Sequence, residues 1–82
     1  MRYTVLLLPD PEVGGYVAYV PAIPGCVTQG ETIQDAMAMA EDAASVLLEV
    51  MAERDEQLPV EAPGGIVGSV DVKVPALAVR SR

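Results

Sequence analysis

The chain contains no histidine, no tryptophan and no phenylalanine, and only one cysteine. Each absence removes a class of chemistry. Without imidazole, nothing can activate a serine or cysteine in the usual way, and zinc loses its commonest nitrogen ligand. A single cysteine cannot close an internal disulfide, so a disulfide-stapled exported scaffold is not expected. Cationic side chains are also scarce: five Lys and Arg stand against twelve Asp and Glu, a net charge of −7. Such a surface repels phosphate backbones, so direct nucleic-acid binding is not expected. A basic protein partner is its natural complement. Long apolar runs are missing too. The opening MRYTVLLLPDPE is too short in its apolar part for a membrane span or a signal segment. A soluble, cytoplasmic, non-membrane protein is the resulting expectation.

Cofactor motifs are absent as well. Gly14-Gly15 and Gly64-Gly65 belong to neither a GxGxxG fingerprint nor a phosphate loop with its lysine. Eight of the twelve acids fall between Glu31 and Glu56 without calcium-loop spacing, as on a solvated helix face. No catalytic, cofactor-binding or metal-binding residue is therefore assigned.

What remains is a small, aliphatic chain. Its 82 residues are 51% hydrophobic and read as one domain, 1–82. A chain of this size buries only about 60–65% of its unfolded surface, so association with a copy or a partner would help stabilise it.

Residues 3–8 (YTVLLL) are a short apolar run stopped by Pro9-Asp10-Pro11, which suits a buried strand. Residues 12–15 (EVGG) have turn chemistry, and 16–20 (YVAYV) are β-branched and aromatic, so the two runs predict an antiparallel hairpin. Tyr16 and Tyr19 fall on opposite faces of their strand, which rules out a stacking platform.

The stretch VPAIPGCVTQGET, residues 20–32, follows. Pro21 and Pro24 lack backbone donors and cannot sit inside a central strand. Gly25 permits a turn, residues 26–29 can form a short third strand, and Gly30 breaks it. Cys26 has no base beside it and an acidic chain around it, so it reads as a small packed residue and not a nucleophile. Thr32 is a good helix N-cap, with Asp35 three residues on in a variant capping box. The predicted helix spans about 32–54. Ile33, Ala36, Met37, Ala40, Ala43, Ala44, Leu47, Leu48 and Met51 form its apolar stripe. Met39 stands at the edge of that stripe, where a flexible thioether can pack or meet a partner. Residues 55–65 form a Pro- and Gly-rich connection. In 66–74 (IVGSVDVKV), Val70, Val72 and Val74 alternate with Ser69, Asp71 and Lys73, the period of a half-buried strand. Residues 76–82 form a short tail. The expected order is β-β-β-α-β: an α+β fold with one antiparallel sheet packed on one long helix.

The run GGYVAYVPAIPGCVTQGETIQDAMAMAEDA resembles the HicB family of antitoxins. That family's pattern reads G-Y-x-A-x-x-P-x-x-P-G-C-x-T-x-G-x-T-x-x-E-A. It is met here at Gly15, Tyr16, Ala18, Pro21, Pro24, Gly25, Cys26, Thr28, Gly30, Thr32 and Ala36, with Asp35 in place of the glutamate. The resemblance implies a partial RNase-H-like fold in the same β-β-β-α-β order. It also implies that the chain binds and neutralises a small basic toxin of the HicA type, which cleaves mRNA. Pro21, Pro24, Gly25, Cys26, Gly30 and Thr32 are then a structural corner and not the toxin contact. Glu41, Asp42 and Glu49 are candidate toxin contacts by their charge. Many HicB proteins carry a C-terminal DNA-binding domain, and the short tail after residue 74 is not expected to form one.

Two other functions compete. A two-metal nuclease needs carboxylates converging from several strands, and only Asp71 lies on a predicted strand, with Asp10 and Glu12 at a turn. The stronger alternative is a solo structural or regulatory homo-oligomer, a dimer or tetramer, with some other partner.

Overall fold

The computed structural model describes residues 1–76, so the expected tail lies outside the described residues apart from Ala76. Three antiparallel strands are followed by one helix: β1 (Leu6–Pro9), β2 (Tyr16–Tyr19), β3 (Val27–Gly30) and α1 (Ile33–Glu53). The sheet order is β1-β2-β3. This is an α+β arrangement, with one sheet layer against one helix.

The β1–β2 loop forms because Asp10 accepts from the backbone N–H groups of Glu12 and Val13 at 3.0 and 3.2 Å. Gly14 and Gly15 then take positive φ, which costs glycine little. The register aligns Leu7 with Ala18 and Ala18 with Thr28. That row faces α1, and Leu7 and Tyr16 pack against the buried core. The alternate row, with Leu6, Leu8, Val17, Tyr19 and Val27, faces away from the helix. The continuous apolar run of β1 is therefore covered on one face only.

The core is built from small residues: Ala18, Val20, Ile23, Cys26, Ala36 and Ala40. Alanines four apart on α1 let the helix axis come close to the sheet. Gly30 sets the closest approach. A Cβ there would run into the backbone nitrogen of Ala36, with the Ala36 Cα at 2.7 Å.

Both ends of α1 are capped. The Thr32 hydroxyl accepts from the Asp35 N–H at 3.0 Å, leaving one orphan donor of the first turn satisfied. At the other end, Asp55 takes φ 57°. Its N–H donates to Ala52 O at 3.1 Å, and the Glu56 N–H donates to Met51 O at 2.9 Å. That is a Schellman closure with aspartate in the position that glycine usually fills.

Two expectations change. Ile33 and Met37, placed on the apolar stripe, are 49% and 45% exposed. They line the wall of an open groove and do not sit in the core. The expected return strand over 66–74 does not form among the described residues. Ile66, Val70, Val72 and Val74 are 93%, 83%, 71% and 57% exposed. The alternation is real, but a strand also needs a free edge within reach. The hydrogen bonds to β1's leading segment come from the connection: Pro59 O accepts from the Tyr3 hydroxyl, and a Glu61 carboxylate oxygen accepts from the Thr4 N–H at 3.0 Å.

Candidate protein-interaction surface

The proline-glycine corner is two linked turns. The Ile23 N–H donates to Val20 O and the Cys26 N–H to Ile23 O, both at 3.1 Å. Pro21 and Pro24 each occupy the second position of a turn, where their fixed φ fits. Gly25 follows at φ 77°, as a type II turn requires. The Val20 N–H donates to Cys26 O at 3.0 Å and closes the loop. Val20, Ile23 and Cys26 all point into the core. The corner thus inserts three side chains beneath α1 and delivers β3 to the Thr32 cap.

Cys26 is buried and free. Burial pushes its thiol above the ordinary value of 9.0. A neutral, covered sulfur is a packing group. Among the described residues, no group of three or more Cys, Asp or Glu side chains could hold a metal ion. No described helix is long and apolar enough to cross a membrane.

The outward face of α1 is the chemically distinctive surface. Asp35, Met39, Asp42, Val46, Glu49 and Glu53 follow one another at steps of four, three, four, three and four residues. Those steps place all six on one helix face. Every one is exposed, and Val50 stands beside them. The face lies opposite Ala36 and Ala40, which are buried against the sheet. It is apolar at Met39, Val46 and Val50, and acidic on the flank.

This charge is unfavourable for the helix alone. α1 holds five acids and no Lys or Arg, and no basic residue lies in its last turn. Glu49 and Glu53 are like charges four apart near the negative end of the helix dipole, an arrangement that costs a few tenths of a kcal/mol or more.

The three acids singled out from sequence separate in space. Asp42 and Glu49, seven residues apart, share the outward face. Glu41 is turned to the flank and lines the groove between α1 and the segment leading into β1. Sequence reading missed Asp35, Val46, Val50 and Glu53 as members of the same surface. The signal was present in the four-three spacing, but charge alone singled out Asp42 and Glu49, without regard to the helix face they share.

Residues 3–77 match the family model of the HicB-like antitoxins of bacterial toxin–antitoxin systems. Over 63 residues the chain is 43% identical to antitoxin HicB of Escherichia coli K12, covering 77% of this chain and 45% of that protein. It is 43% identical over its whole length to antitoxin HicB 1 of Photorhabdus laumondii, covering 50% of that protein. A UPF0150 protein of Thermoplasma acidophilum is 41% identical over 59 residues, 72% of this chain and 84% of the archaeal one. The chain therefore spans about half the length of the two named antitoxins and most of the archaeal relative. With the family model matching residues 3–77, this chain belongs to the HicB-like antitoxin family.

Proposed function

We propose that the chain is a non-catalytic, cytoplasmic binding module that sequesters a small, basic, mRNA-cleaving toxin of the HicA type. The single observation that carries this reading is the exposed face of α1. Its acids have no cationic partner on their own helix, and its three apolar side chains have nothing over them. A basic protein face neutralises the first and covers the second. Long-range attraction between a −7 molecule and a cationic one speeds their encounter. The central apolar residues then hold the complex once water is excluded.

The same reading includes self-association as a dimer or tetramer. The exposed valines of residues 66–74 favour it, since a small core gains from a covered arm.

The test is native mass spectrometry of the chain mixed with a HicA-type toxin, run beside an mRNA cleavage assay. A stoichiometric complex with cleavage suppressed supports the reading. Free toxin with full cleavage in the presence of excess chain refutes it.

A further inference from the structure

We propose that Met39 is a reversible oxidation site, converted by a hydroperoxide to a sulfoxide that releases the toxin from α1. The inference rests on the reading of that helix surface given above and adds its regulation.

The chain carries one cysteine and four methionines, and the fold gives their sulfur atoms different access. Cys26 is buried, and Met51 is half-buried against the core. Met1 lies ahead of the sheet, where its sulfur accepts from the Tyr3 hydroxyl at 3.6 Å. Met37 and Met39 stand on α1, 45% and 47% exposed. Two residues along a helix turn the direction by about 200°, so these two thioethers serve different surfaces. Met37 lines the groove with Val5 and Val20. Met39 belongs with Val46 and Val50, the exposed apolar side chains of the proposed contact. Asp35 and Asp42 lie one turn to either side of it.

That placement separates binding from folding. In the free chain the Met39 thioether is half in water, so an added oxygen costs the fold little. In a complex the same group is pressed against the partner and loses its water. Of the three apolar side chains there, only a thioether can change polarity by covalent chemistry. The sulfoxide oxygen is a hydrogen-bond acceptor, and its own helix offers it no donor. α1 holds no Lys or Arg, and the flanking carboxylates are themselves acceptors. The partner's cations pair with those carboxylates, which are the stronger acceptors. A buried sulfoxide left without a partner weakens the complex.

The step is a two-electron oxygen transfer. A sulfur lone pair attacks the terminal oxygen of the hydroperoxide. The S–O bond forms as the O–O bond breaks, and the proton of that terminal oxygen passes to the departing alkoxide. Sulfoxide and an alcohol result, or water when the oxidant is hydrogen peroxide. A methionine sulfoxide reductase reverses the change with a dithiol, which becomes a disulfide while the oxygen leaves as water.

The experiment is isothermal titration of a HicA-type toxin into the full chain before and after hydrogen peroxide. The peroxide is removed before titration, and fragmentation mass spectrometry places each added oxygen. Treatment is stopped while Met51 is still unmodified. The wild type and Met37→Leu should each bind roughly tenfold or more weakly after oxidation. Met39→Leu should bind alike before and after. Sulfoxide reductase with a dithiol should restore the oxidised wild type, and melting should be unchanged throughout. Saturating toxin should shield Met39 from peroxide and leave Met37 reactive. Binding that survives oxidation of Met39, or a Met39→Leu chain that weakens as much as the wild type, overturns the proposal and leaves the toxin reading standing. An untreated chain that binds no toxin overturns both.

Discussion

Gly30 ends β3 directly against the backbone of Ala36 in the first turn of α1. A Cβ at residue 30 would meet the Ala36 nitrogen, its Cα and the Asp35 carbonyl carbon, all within 2.7 Å. None of these is the far end of a flexible side chain, so the helix itself would have to move. Gly30→Ala should therefore cost about 1–3 kcal/mol through overpacking. Thermal unfolding followed by circular dichroism should show a drop of about 4–8 °C for each kcal/mol. An unchanged melting temperature would mean that the sheet and helix are not held at this distance.

The C-terminal closure of α1 gives a prediction of opposite sign. Asp55 holds a left-handed φ of 57°, where a side chain is strained, and it adds negative charge beside the negative helix end. Asp55→Gly should stabilise the chain by about 1 kcal/mol. Chemical denaturation should move to a higher midpoint with the slope unchanged. A lower midpoint would indicate that the Asp55 side chain makes a stabilising contact of its own.

The buried thiol links stability to alkaline pH. Burial raises the Cys26 pKa in the folded chain above 9.0, so the unfolded chain gives up the proton first. Stability contributed by the neutral thiol is complete below pH 9.0 and falls as pH rises past it. A Cys26→Ala variant should lose less stability than the wild type over that range. Reaction with a thiol-specific reagent near neutral pH should be slow and should follow unfolding. Rapid modification of the folded chain would contradict the buried placement.

Glu61 works in the acidic range. The Thr4 backbone N–H lowers its pKa below the ordinary 4.5. Because the folded value is depressed, the tie between the connection and the segment before β1 is complete above pH 4.5 and is lost as pH falls through the lowered value. The Thr4 amide resonance should titrate with Glu61, and Glu61→Gln should flatten that titration. A Thr4 amide insensitive to pH below 4.5 would show that the contact is not made in solution.

The parts legible in the sequence are those set by local chemistry. Thr32 and Asp35 announced the start of α1, and the two X-Pro steps with Gly25 announced the corner. Each depends on residues within a few positions of one another. The arm was legible in pattern but not in place. A period of two says that one face wants cover, while the edge that provides it is a non-local choice. The same gap explains Ile33 and Met37: helical spacing put them toward the core, but it cannot tell whether anything fills the space beside the sheet. Of the surface, Asp42 and Glu49 were found by charge alone. Their alignment with Met39 and Val46, and the separation of Glu41, needed the helix to be seen against its sheet.

That separation supplies the most direct test of the central claim. Isothermal titration of a HicA-type toxin should be run with Asp42→Lys, Glu49→Lys and Glu41→Lys variants at several salt concentrations. All three make the same change in net charge. If the outward face of α1 is the toxin surface, the first two should each weaken binding by roughly tenfold or more and reduce its salt dependence. Glu41→Lys should stay within about threefold of the wild type. Equal losses for all three, or no loss for any, would contradict an interface built on that face.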